Sequence, residues 1–195
     1  MKILGLDVSS TTIGVALLDC NSKKATLVVG SYYKPPKGKR TIYERLSETK
    51  ASVKKWVDGY QPDFIVIEDI LLYMGGKKGR RKSNAQTITT LAIWNRMVGL
   101  TSFEASGKNP YLLSVEEIRK ILKLDKHIPK KEEMPELVAK HLGMDFPWVK
   151  YYNIKKKLAN RKENFDIADA VAVALAFYKK GMNDDGFAGF PGFRN

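Results

Sequence analysis

Residues 2–19, KILGLDVSSTTIGVALLD, form two short apolar runs with Ser9, Ser10, Thr11, Thr12 and Gly14 between them. That pattern predicts a hairpin, with strands near 2–7 and 12–19. ATLVVGSYY (25–33) reads as a third strand, and KPPKGKR (34–40), rich in Pro, Gly and charge, as a loop. Thr41 is placed to cap a helix over 42–58, with Ile42, Leu46, Val53 and Val57 on one broad face.

DFIVIEDI (63–70) is a continuous β-branched run, the signature of a strand buried on both faces. A Gly-rich basic loop (73–82) separates it from a long, mostly apolar helix, SNAQTITTLAIWNRMVGLTSFEA (83–105). NPYLLSV (109–115) reads as a strand running into the short helix VEEIRKIL, and KKEEMPELVAKHLG (130–143) as a further helix. WVKYYNIKKKLANRK (148–162) is basic and aromatic, and FDIADAVAVALAF (165–177) forms the last helix. Three successive strands suit an antiparallel meander, and strands separated by helices suit parallel additions. The expected fold class is therefore α/β: a five-stranded mixed sheet, three antiparallel strands then two parallel, flanked by helices. Without a repeat or linker, residues 1–182 read as one domain. The Gly/Phe-rich stretch 183–195 lacks periodicity and reads as a flexible tail.

Charge narrows the partner. The chain of 195 residues carries a formal net charge of +13, which points to a polyanion, most simply nucleic acid. No basic amphipathic helix with an aromatic anchor stands out, and the longest apolar run, 170–177, is far too short to span a bilayer, so no membrane partner is expected. Cys20 is the sole cysteine, which excludes an intrachain disulfide and fits a cytoplasmic or nucleoid setting. The start of the chain reads as a strand rather than a cleavable leader.

Carboxylates interrupt the most apolar elements. Asp7 ends the first strand, Glu68 ends FIVIE, and Asp166 and Asp169 lie three apart on one face of the last helix. Each has an ordinary explanation alone: a turn residue at Asp7, an N-cap at Asp166, a dipole-favouring first-turn acid at Asp169. Glu68 resists one, because so apolar a strand has little reason to hold it, whereas Asp69 should point to the opposite face as a solvated or helix-contacting group. Four hard oxygen donors, with no cysteine among them, suit Mg²⁺ or Mn²⁺. Two such ions roughly 4 Å apart activate a water and stabilise the leaving oxygen of a phosphodiester.

ILGLDVSSTTIGVALLD, FIVIEDILLY and DIADAVAVALAFY together resemble the three acidic motifs of the RuvC-like Holliday junction resolvases, within the RNase H-like (integrase) superfamily. The resemblance spans 1–180. It implies an RNase H-like fold, a catalytic, metal-binding tetrad of Asp7, Glu68, Asp166 and Asp169, and a homodimer that cuts four-way DNA junctions with Mg²⁺ or Mn²⁺. Asp7-Val8-Ser9 in place of Asp-Pro-Gly, the long basic segment 126–163 and the tail look more like the divergent phage or viral branch, for which an infected-cell cytoplasm is the setting and branched DNA more broadly the substrate.

KKGRRK (77–82) places five cations in six residues just after Glu68, and Lys77, Lys78, Arg80, Arg81 and Lys82 are expected DNA contacts. By resemblance Tyr73, or else Leu71 or Met74, is the wedge at the junction centre, and Lys130 and Lys131 touch phosphate. In 150–162, Tyr151 and Tyr152 accompany Lys155, Lys156, Lys157, Arg161 and Lys162. Two readings stand: stacking on unpaired bases with phosphate tracking, or a helix with one buried aromatic face. Helix 83–105 is more apolar than one sheet contact needs, which suggests a dimer face or an interior helix. Alternative functions are an RNA–DNA hybrid nuclease, a non-catalytic DNA-binding member of the fold, and an actin-like ATP-binding protein, whose phosphate loop GLDVSSTTIGVAL also resembles but whose second domain is missing.

Overall fold

The structure is a computed structural model that describes residues 1–70, 85–124, 127–152 and 158–183. Strands β1 (Lys2–Val8), β2 (Ile13–Cys20) and β3 (Ala25–Tyr33) form the antiparallel meander, followed by helix α1 (Ile42–Tyr60) and strand β4 (Phe64–Asp69). Helix α2 (Ala85–Ser106), strand β5 (Tyr111–Ser114), helices α3 (Val115–Leu122) and α4 (Met134–Leu142), a small hairpin of β6 (Lys150–Tyr152) and β7 (Leu158–Asn160), and helix α5 (Asn164–Asn183) complete the order. The sheet runs β3-β2-β1-β4-β5, with β4 and β5 parallel to β1. This is the expected mixed sheet.

Strand alternation sorts the residues into two cores. Leu4, Leu6, Ile13, Val15, Leu17, Ile65 and Ile67 face α1 and α2, against Val53, Val57, Trp94 and Val98. Ile3, Ala16, Leu18 and Val66 face the other way, against α5. Because both faces are covered, the central strands carry no exposed polar stripe, and 63–70 reads as one apolar run. Helix α5 is buried from Ile167 to Tyr178 apart from Asp169. Leu175 is 1% exposed, and cutting it to Ala should cost about 2–5 kcal/mol.

Helix α1 starts where Thr41 predicts. Glu44 donates its backbone N–H to Thr41 Oγ1 at 3.2 Å, and the Thr41 N–H reaches Glu44 Oε2 at 2.6 Å, a capping box. Three expectations are corrected. The helix expected over 130–143 is a 3-10 turn at Lys131–Glu133 followed by α4, because Pro135 lies at the start of the α-helix, where its fixed φ is accommodated. The described residues of 148–162 form no helix: β6 and β7 pair antiparallel, and Tyr151 and Tyr152 are exposed rather than sharing a buried face. Helix α5 begins at Asn164, two residues before Asp166, so Asp166 sits inside the first turn and is not its cap.

Candidate active site

Parallel register brings the first two carboxylates together. Leu6 pairs with Ile67, the last pair between β1 and β4, and Asp7 and Glu68 follow one residue later. Both continue the face that carries Ile3 and Val66, so both look toward α5. Asp69, next in the strand, points the opposite way and meets Arg96 of α2 at 3.3 Å. Asn95 of α2, 1% exposed, donates its amide to the Glu68 carbonyl at 2.8 Å and so anchors the end of β4.

The turn after Asp7 is held locally. Ser9 N–H donates to the Thr12 carbonyl at 3.0 Å, and Thr12 N–H returns to Ser9 Oγ at 3.0 Å. Arg45 of α1 reaches the Ser10 carbonyl at 2.6 Å. The Ser/Thr run therefore closes the strand end with its own side chains.

Helix α5 delivers the other pair by lying directly on the sheet. Gly14, the register partner of Asp7, has no room for a side chain: a methyl there would overlap the Asp166 carbonyl. A methyl on Gly5 would overlap the Ala170 carbonyl and come within 2.8 Å of Ala174 Cβ. The two glycines and the alanines of α5 permit this approach. Asp166 and Asp169 then stand over the end of β1, with side chains 24% and 12% exposed.

Asp7, Glu68 and Asp169 share a buried, like-charged environment. Burial first, then the Glu68 and Asp169 charges, hold Asp7 well above the usual carboxylate range. Burial and the Asp169 charge push Glu68 up to about 7. Burial also raises Asp169, against the opposing pull of Lys131. Lys131 is the counterweight, its ammonium 3.2 Å from Asp166 Oδ1 and 3.1 Å from Asp169 Oδ2. Burial would lower the Lys131 ammonium, but Asp169, Asp7 and Asp166 outweigh it and raise it.

Sequence reading placed Lys131 on DNA phosphate; the fold turns it onto two of the expected ligands, while Lys130 stays exposed. Tyr73, Lys77, Lys78, Arg80, Arg81, Lys82, Lys155, Lys156 and Lys157 lie outside the described residues, as do Leu71 and Met74. Asn95, Asn164 and the contacts of Gly5 and Gly14 gave no local signal, because each acts on a distant part of the chain.

The donor set fits a divalent cation by its chemistry: oxygen only, mutually repulsive, and partly neutralised by one ammonium. Among the described residues no three acidic, His or Cys side chains close on one point as a finished metal cage.

The sequence matches the family model for crossover junction endodeoxyribonuclease RuvC over residues 3–109. A RuvC of that description from Corynebacterium diphtheriae is 24% identical over 176 residues, covering 88% of this chain and 90% of the relative. Thermus thermophilus RuvC superposes with a TM-score of 0.67 at 22% identity, covering 94% of this chain and 97% of that one. The yeast mitochondrial Holliday junction resolvase Ydc2 gives 0.59 at 12% identity, covering 96% and 82%. These structures share the helix-flanked, RNase H-like mixed sheet. With its acidic strand ends and its match across more than half its length, the chain belongs to the RuvC crossover junction endodeoxyribonuclease family.

Proposed function

We propose that the protein is a divalent-metal-dependent endonuclease that resolves four-way DNA junctions or related branched DNA by phosphodiester hydrolysis. The observation that carries this reading is the placing of Asp7 and Glu68 at neighbouring strand ends that face α5, whose Asp166 and Asp169 are bridged by the Lys131 ammonium. The family match and the fold shared with known junction resolvases support it.

Asp7, Glu68, Asp166 and Asp169 are the residues that would hold Mg²⁺ or Mn²⁺. Bound there, two such ions would supply Lewis-acid charge for activating water and stabilising the leaving oxygen. The remaining work falls to the chain. The Ser9–Thr12 turn and the Asn95 bond fix the strand ends, Gly5 and Gly14 let α5 close on them, and Lys131 balances the negative charge that would otherwise repel phosphate. The net charge of +13 favours encounter with DNA. The same reading assigns a homodimer through α2, where Ile93, Leu100 and Phe103 are 40%, 58% and 44% exposed. A DNA substrate sets its work in the nucleoid or an infected-cell cytoplasm.

Labelled four-way, flap, RNA–DNA hybrid and linear duplex substrates, incubated with Mg²⁺ or Mn²⁺, test the proposal. Paired symmetric nicks in the four-way substrate are expected. Preferred cutting of the hybrid would overturn it.

A further inference from the structure

The hairpin formed within the basic, aromatic stretch 148–162 builds a second feature. Between it and the start of α5 lies a cavity of about 510 Å³, walled by Trp148, Tyr151 and Phe165, with Arg161, Lys162 and Glu132 among its lining residues. Its volume is in the range of small-molecule sites. Trp148 and Tyr151 are 36% and 41% exposed, so part of each side chain is open to a ligand. The Arg161 guanidinium already lies 5.3 Å from the centre of the Tyr151 ring, and Trp148 packs edge-on against Phe146 at 5.0 Å.

The cavity is fixed relative to the carboxylates. Asn164, fully buried at the start of α5, clamps the hairpin stem. It accepts from Val149 N–H at 2.8 Å and donates to the Val149 and Arg161 carbonyls at 3.0 and 2.7 Å. Phe165 adjoins Asp166 in the chain, and Glu132 adjoins Lys131, which bridges Asp166 and Asp169. The cavity thus has two lining residues that are chain neighbours of residues in the acidic site. Its other carboxylate, Glu163, is neutralised by Lys34 at 2.6 Å.

We infer that this cavity takes an unpaired nucleobase of the bound DNA, stacked on Tyr151 and Trp148, while Arg161 and Lys162 hold the adjoining phosphates. Bases within a duplex are shielded by their neighbours, so an aromatic slot selects a base that is splayed or flipped out. Branch points supply such bases, and the slot would select DNA in which one lies beside the scissile phosphate. The inference rests on the proposed DNA-cutting function and adds its specificity element.

The test uses the full chain and four-way junctions carrying 2-aminopurine at positions flanking the cut, in EDTA to prevent cleavage. Binding should quench the probe at one such position, and Tyr151→Ala and Trp148→Ala should abolish the quench. Affinity for the junction should fall roughly 5- to 150-fold, the span of base–aromatic stacking, while affinity for paired duplex stays unchanged. Trp148→Phe should restore much of the quench. Because Trp148 also packs on Phe146, the exposed Tyr151→Ala carries the test if Trp148→Ala fails to fold. Wild-type quench and affinity in Tyr151→Ala would overturn the inference. If wild-type protein quenches the probe yet cuts no branched DNA with Mg²⁺, the functional reading fails and the base-binding slot stands.

Discussion

Gly14, the strand partner of Asp7, lies directly beneath the main-chain carbonyl of Asp166. With Gly5, this residue without a side chain sets the gap between the strand that carries one carboxylate and the helix that carries two more. Gly14→Ala should lift the start of α5, destabilise the fold by about 1–3 kcal/mol, and lower Tm by roughly 2–10 °C. Junction cleavage should fall further than stability alone explains. Gly59→Ala, in α1 with open space around it, should leave Tm unchanged or slightly raised. Differential scanning fluorimetry and cleavage rates on both variants check this.

Asp7→Asn and Glu68→Gln should each reduce cleavage of a four-way junction at least roughly 100-fold, as loss of a positioned charged group at a reacting centre does. Junction binding in a gel-shift assay should persist, because neither change removes a cation. Retained cleavage with Mg²⁺ in either variant would refute the assignment of these ligands.

Without divalent cations the protein should lose stability as pH rises from 5 to 8. Glu68 goes from an ordinary 4.5 to about 7 on folding. Its contribution is therefore complete below pH 4.5 and is lost as pH climbs through 7. Asp7 and Asp169, also raised, act in the same sense. Glu44, Glu133 and Glu163 have lowered pKa values, so their contribution is already complete above 4.5 and stays constant in this window. His141, lowered by burial, works the other way near its ordinary 6.5, so Glu68→Gln is the proper comparison. Wild-type Tm in EDTA should fall by roughly 5 °C or more, Glu68→Gln should fall less, and Mg²⁺ should flatten the wild-type curve.

Leu100→Glu on the exposed face of α2 should convert dimer to monomer. Ile93, Leu100 and Phe103 recur at helical spacing on one side, and a carboxylate buried at their centre would cost more than the lost apolar contact. Sedimentation velocity reads the change; a wild-type protein that is already monomeric at micromolar concentration would contradict the assigned interface.

The meander, the buried β4 run and the Thr41 cap are legible in the sequence because each rests on neighbours or on a period of two or 3.6 residues. The four carboxylates are legible for a related reason: each interrupts an apolar element, and burial of a charge demands a cause. What escaped was long-range. Nothing near Lys131 indicates that it will meet Asp166, 35 positions away. Gly14 reads as a turn residue until α5 is laid over it, and nothing near Asn164 in the sequence signals that it will hold the hairpin stem. The stretch 148–162 stayed open between two readings because its aromatic and cationic residues follow neither period clearly.

Successive residues of β4 point in opposite directions, Glu68 toward the acidic site and Asp69 toward Arg96 of α2, with Asn95 locking the same strand end. In the proposed dimer this makes the joint a ruler. The helices proposed to meet across the twofold axis are tied to the end of β4 by a hydrogen bond to the Glu68 carbonyl and an ion pair to Asp69. The separation of two incisions would then be fixed by the protein before DNA arrives, and the substrate must bend to match it.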